Sequence, residues 1–209
     1  MKDKLYDIGR YTLVIAMVGD ILVSWIMPLF YKGYSSTGMS ISALGNPQSP
    51  VRIPFNIWML AEGILFLLAV PWLYRRYYPV SHGLTYAVIA FTAVFAVGAC
   101  IFTCFFSVNE SKEIVTTASK IHGFGSAVGF MLFLFVPLLL GILSFKERDS
   151  MGMIYILCFV ISMIFFVLFI ISDKPELPDT ITKREGLWQR LNLIFMYLPV
   201  ILSSMRQIY

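Results

Sequence analysis

Long apolar runs separated by short polar breaks dominate this chain. Six stretches carry about 20 mostly apolar residues, the length that crosses a bilayer core as a helix. They are residues 11–30, 54–74, 84–106, 121–144, 151–172 and 187–205. The pattern predicts an all-α polytopic bundle of six transmembrane helices forming a single domain over residues 1–209. The first stretch reads as a span rather than a signal peptide. It is too long, contains Asp20, and lacks a small-residue cleavage site before the chain turns polar. No repeat relates spans one to three with spans four to six, and no span reads as Gly/Pro-broken at its middle. Both features count against an inverted-repeat transporter.

The polar breaks differ in length. Segments 31–53, 107–120 and 173–186 are long, whereas 75–83 and 145–150 are tight turns. The short side, with the chain ends, holds Lys2, Lys4, Arg10, Arg75, Arg76, Lys146, Arg148 and Arg206. The long connections hold Lys32, Arg52, Lys112, Lys120, Lys174, Lys183 and Arg184 at lower density. Basic residues concentrate on the cytoplasmic face of membrane proteins, so both termini are expected inside. The first long connection is rich in Ser, Gly and Pro, and loops of that length are usually functional or disordered.

Composition supports lipid as the solvent. Of 209 residues, 58% are hydrophobic and 13% charged, against about 25% charged in a soluble domain. A net charge of +4, spread along the chain, gives no nucleic-acid patch. Membrane lipids are the expected partners, and the sequence does not fix an oligomeric state. Cys100, Cys104 and Cys158 all sit in apolar runs without a CxxC, so no disulfide framework is expected. The two histidines, His82 and His122, fall on opposite sides of the membrane. That argues against a bis-His haem and against a catalytic zinc with three protein ligands, and no metal or cofactor is expected.

Asp20 and Glu62 are the carboxylates deep inside spans. A charge at mid-bilayer costs about 2.5–3.5 kcal/mol on insertion scales, so intramembrane acids are functional candidates. Counting about 1.5 Å per residue, both lie roughly 12–15 Å below the outer surface, on neighbouring antiparallel spans. Three outcomes follow. One acid is protonated; or the pair binds a proton, cation or cationic head group; or Arg190 or His122 reaches in. The bland alternative is a neutral acid bonded to Ser24 or a backbone carbonyl. Arg190 either snorkels to the outer head groups or pairs with Asp173. Gly125 and Gly129 form a GxxxG packing step.

Four short motifs in order carry a resemblance. They are Ile41-Ser42-Ala43-Leu44-Gly45 after the first span, Asn56 early in the second, His122-Gly123 opening the fourth, and Gly186-Leu187-Trp188-Gln189-Arg190 opening the sixth. The chain resembles the bacterial six-span family catalogued as domain of unknown function 998. A looser likeness is to DRAM-like six-span proteins. The first resemblance implies a multi-pass protein of the bacterial inner membrane and no settled activity. The candidate pocket comprises Asp20, Ser42, Asn56, Glu62, His122, Asp173, Gln189 and Arg190. The expected function is binding of a lipid head group or small amphiphile in the outer leaflet. The alternatives are a proton- or cation-coupled transporter using Asp20 and Glu62, and an intramembrane lipid-modifying enzyme. The last would use Ser42 or Ser126 as nucleophile, His122 as base and Asp173 as orienter. No nucleophile-elbow motif supports it.

Overall fold

The structure, a computed structural model, describes residues 2–109, 115–172, 174 and 178–206, with side chains from residue 8 onward. Asp173 and Lys112 lie outside the described residues. Helices account for every regular element among them: α1 (Lys2–Ile26), α2 (Arg52–Leu68), α3 (Val70–Tyr77), α4 (His82–Phe95), α5 (Phe102–Phe105), α6 (Thr117–Phe133), α7 (Val136–Lys146), α8 (Met151–Ile171), α9 (Asp179–Thr182) and α10 (Glu185–Met205). Short 3₁₀ turns at Met27–Phe30 and Ile41–Gly45 and a π-helical segment at Ala96–Ile101 complete the path. This is a helical membrane bundle. Among the described residues, five helical segments are long and apolar enough to cross a membrane: Ile8–Phe30, Arg52–Tyr77, His82–Phe105, Thr117–Lys146 and Met151–Ile171.

The sixth expected span, α10, is 21 residues long, which at about 1.5 Å per residue matches the bilayer core. Its polar content sets it apart from the five, and packing explains that content. α10 lies between α8 and α1. Gln189, Arg190, Asn192 and Tyr197 are all buried on it, so its polar groups meet protein rather than lipid. α8 is the converse. Its Met153, Leu157, Val160, Ile164 and Val167 are exposed at helical spacing, as a lipid-facing stripe requires.

The helices form a ring in which α1 packs on α2, α2 on the π segment, α4 on α6, α7 on α8, α8 on α10 and α10 on α1. Two spans carry a local interruption ahead of a proline, the second at Ala69 before Pro71 and the fourth at Leu134 and Phe135 before Pro137. Pro137 lacks the N–H that would bond the Phe133 carbonyl, so the helix is interrupted there. The interruption has a consequence for the ring. α7 packs along α8, while α6 makes no substantial contact with it. Among the described residues, the bundle is tied together at the end of the short turns, and α6 and α8 stand apart toward the end of the long connections.

The closed end is pinned by charge. Arg76 donates two hydrogen bonds to Glu147, at 2.6 and 2.7 Å, tying α3 to the α7–α8 turn. Arg206 pairs with Asp149 of the same turn. Partial burial would raise the Asp149 carboxyl, but hydrogen bonds from Arg206 and the Met151 N–H outweigh it and hold Asp149 below its ordinary range. Arg148 has φ 59°. The Asp149 N–H bonds Ser144 O and the Arg148 N–H bonds Phe145 O, the pattern in which glycine usually holds the left-handed position. Arg148→Gly is therefore expected to stabilise the fold by about 1 kcal/mol. A thermal melt in detergent that showed no gain would mean the turn is not strained.

Candidate functional site

The first long connection is not a loose loop. Leu187 N–H donates to Thr37 O at 2.9 Å, and Ile41 N–H donates to the Gln189 side chain at 2.7 Å. Arg190 completes the join. It is 1% exposed. Its Nε and Nη2 donate to Ser24 O at 3.1 and 2.9 Å, and Nη1 to Ser36 O at 2.6 Å and Gly186 O at 3.0 Å. Nη2 also reaches the Tyr34 hydroxyl at 3.0 Å, and Nη1 lies 3.3 Å from Met39 O. Tyr34 in turn donates to Ser40 O. Burial pushes its phenol up, so it stays protonated as a donor.

Local sequence accounts for this arrangement. The Ser24 carbonyl near the end of α1 would normally bond the N–H four residues on, but that residue is Pro28, which has none. A guanidinium at a helix C-terminus also meets the negative end of the helix dipole. Among the described residues Arg190 neither snorkels nor hydrogen-bonds the buried acids but forms a backbone staple, while the expected pairing with Asp173 falls outside the described residues. The staple takes Ser24 O one turn beyond Asp20, about 6 Å along the helix.

Asp20 and Glu62 do come together. Both are buried, and the Tyr197 hydroxyl on α10 lies 3.0 Å from Asp20 Oδ2 and 3.5 Å from Glu62 Oε1. The Ser24 hydroxyl, the expected partner of Asp20, donates instead to Ile21 O at 2.8 Å. Sequence reasoning missed Tyr197. It stands seven residues after Arg190 on the same buried face of α10, and a buried tyrosine hydroxyl needs a partner. Behind it the rings of Phe66, Phe95 and Phe133 lie 6.0–6.4 Å from its ring centre, all buried. This aromatic layer seals the acid pair from the short-turn end.

On the other side the acids face a cavity of about 740 Å³. Asp20 and Glu62 line its depth, with Phe55, Met59, Phe95 and Leu193 as apolar walls. Ser42, Gln189, His122 and Lys120 line it as well. His122 Nδ1 is 3.3 Å from Thr103 Oγ1, and Nε2 is 3.5 Å from Ser126 Oγ. Thr103 spends its own hydrogen on Ala99 O at 2.6 Å. The imidazole also meets the Phe106 backbone carbonyl, so a ring N–H is spent on backbone.

Asn56 does not line the cavity. It lies beneath the Ile41–Gly45 turn, where a Cβ on Gly45 would come within 3.0 Å of its Oδ1. Of the eight candidates, then, Asp20, Ser42, Glu62, His122 and Gln189 share one cavity. Arg190 holds the connection above it, Asn56 sits beneath the Ile41–Gly45 turn with its Oδ1 unbonded among the described residues, and Asp173 lies outside the described residues.

The four motifs thus meet at one end of the bundle, where the 41–45 turn sits between α2 and α10. Residues 14–206 match the family described as "Protein of unknown function (DUF998)". The chain belongs to this family. The DUF998 match spans the cavity, the aromatic layer and the staple together. No curated protein and no solved structure matches the chain. The likeness to DRAM-like proteins receives no support from these comparisons. Among the described residues, no group of three His, Cys, Asp or Glu side chains is placed to hold a metal in this DUF998 chain.

Proposed function

We propose that this protein binds a lipid head group or small amphiphile, which reaches the cavity sideways from the bilayer between α6 and α8. In this reading the protein crosses a bacterial inner membrane six times, both termini are cytoplasmic, and the cavity opens in the outer leaflet. One observation carries it. Met131 on α6 and Ile170 on α8, from two helices with little contact, both line the cavity and are 46% and 52% exposed. A cavity of about 740 Å³ falls within the usual range for small-ligand sites, roughly 300–1,000 Å³.

Transport using Asp20 and Glu62 has less support, because any path must pass the Phe66, Phe95, Phe133 and Tyr197 rings. Lipid chemistry at Ser126 has less still. The imidazole nitrogen that a carboxylate would orient in a triad faces the Thr103 hydroxyl.

The test is lipid retention. Full-length protein extracted with its native lipids is expected to keep a bound amphiphile in native mass spectrometry. Ala127→Trp, which fills the cavity from an exposed position on α6, is expected to lose it while folding normally. Equal retention by both proteins would remove the cavity from consideration.

A further inference from the structure

The floor of the cavity is short of hydrogen-bond donors. Asp20 and Glu62 present four carboxylate oxygens, and the Tyr197 hydroxyl has one hydrogen to share between Asp20 Oδ2 and Glu62 Oε1. Glu62 is 0% exposed, and its Oε2 has no hydrogen-bond partner among the described residues. The Cys100 thiol stands beside it, but a thiol is a weak donor. A buried carboxylate oxygen without a donor is costly.

The cationic side chains nearby do not relieve the shortage. Arg190 spends its N–H groups on the carbonyls of Ser24, Ser36 and Gly186 and on Tyr34. The His122 ring is held between Thr103 and Ser126. Lys120 is exposed on the first turn of α6, toward the mouth.

We propose that the ligand is an amphiphile bearing a primary ammonium, seated on Glu62 and Asp20, with its chain leaving between α6 and α8. Three features point to that chemistry. A primary ammonium brings three N–H donors and a positive charge, which answers both the unpartnered Glu62 oxygen and the two acids sharing one hydroxyl. Phe55, Met59 and Leu193 suit the methylenes next to the nitrogen. The opening lined by Met131 and Ile170 suits a hydrocarbon tail. A quaternary ammonium carries the charge but no N–H, so it leaves the Glu62 oxygen unmet.

The inference rests on the amphiphile-binding reading, and the experiment separates their failures. Full-length protein is placed in nanodiscs of phosphatidylglycerol, which lacks an amine. Dodecylamine, dodecyltrimethylammonium and dodecanol are added in turn, with protein-free nanodiscs subtracted. Native mass spectrometry is expected to show dodecylamine retained about tenfold or more over the other two, the scale of one lost charge-assisted hydrogen bond. Glu62→Gln is expected to erase the preference. Asp20→Asn is the second variant, and the comparison of probes on the unaltered protein needs no variant to fold. Equal retention of the three probes, blocked by Ala127→Trp, would overturn the ammonium assignment and leave the cavity reading standing. An amine preference that survives in folded Glu62→Gln and Asp20→Asn would also overturn it. Retention of none of the probes would overturn both readings.

Discussion

Replacing Arg190 with alanine is expected to cost about 3–5 kcal/mol, the range seen when one partner of a buried charged network is removed. The reason is the number of groups it leaves unpaired. The Ser24, Ser36 and Gly186 carbonyls and the Tyr34 hydroxyl would all lose a charged donor, the Ser24 and Gly186 bonds being buried. Each such bond is worth about 1.5–3 kcal/mol in isolation, and the sum is not additive. Arg190→Lys should recover part of the loss, since three donors on one nitrogen cannot span carbonyls from α1, the 31–51 connection and α10. Thermal unfolding in detergent measures both. Arg184 is exposed just before α10, and Arg184→Ala should change the melt by less than about 0.5 kcal/mol. If Arg190→Ala were as mild as Arg184→Ala, Arg190 would be a lipid-facing snorkel and the staple would be wrong.

Gly186 offers a check on the same join. A Cβ there would sit 2.1 Å from Met39 O and 2.6 Å from Ser36 O, both backbone atoms of the docked connection. Gly186→Ala should therefore loosen the connection with Arg190 still present. The double substitution should cost less than the sum of the two singles, because both break one contact.

Apolar runs long enough to cross a bilayer made the helical bundle legible, and residue counting placed Asp20 and Glu62 at one depth on adjacent helices. Both inferences use local regularities, the rise of a helix and the thickness of lipid. Three features were hidden because they depend on partners distant in sequence. Tyr197 looked like one more aromatic until α10 was set between α1 and α8. Arg190 looked like an interfacial charge, although Pro28 had already freed a carbonyl for it. The π segment leaves no mark in hydropathy, since it adds residues to a turn without changing their character. Pro137 lies within an unbroken apolar run, so hydropathy alone does not mark the interruption before it. Its effect, parting α6 from α8 while α7 stays packed, follows from the ring of helices and not from the residue alone.

Gly125→Leu is expected to destabilise by about 3 kcal/mol, the upper end for overpacking, and to abolish amphiphile retention in the same protein. A Cβ at Gly125 would lie 2.8 Å from Gly98 O and 2.8 Å from Phe102 Cδ2, and one at Gly98 would lie 2.5 Å from Gly125 O. The backbones of α6 and the π segment therefore touch, and neither has a flexible side-chain end to move aside. A leucine would wedge α6 away from the π segment and toward the cavity. It would also part His122 from Thr103, now 3.3 Å apart. Gly123, two residues earlier, has nothing within 4 Å of its would-be Cβ. Gly123 also lines the cavity, but an added methyl meets nothing, so Gly123→Ala should gain about 0.5–1 kcal/mol from helix propensity and change retention far less than Gly125→Leu. The pair separates two roles for α6. If Gly125→Leu lost stability but kept its amphiphile, the spacing between α6 and the π segment would set the fold and not the site. Loss of both, with Gly123→Ala intact, is the result expected if one backbone contact holds the bundle together and sets the width of the opening beside it.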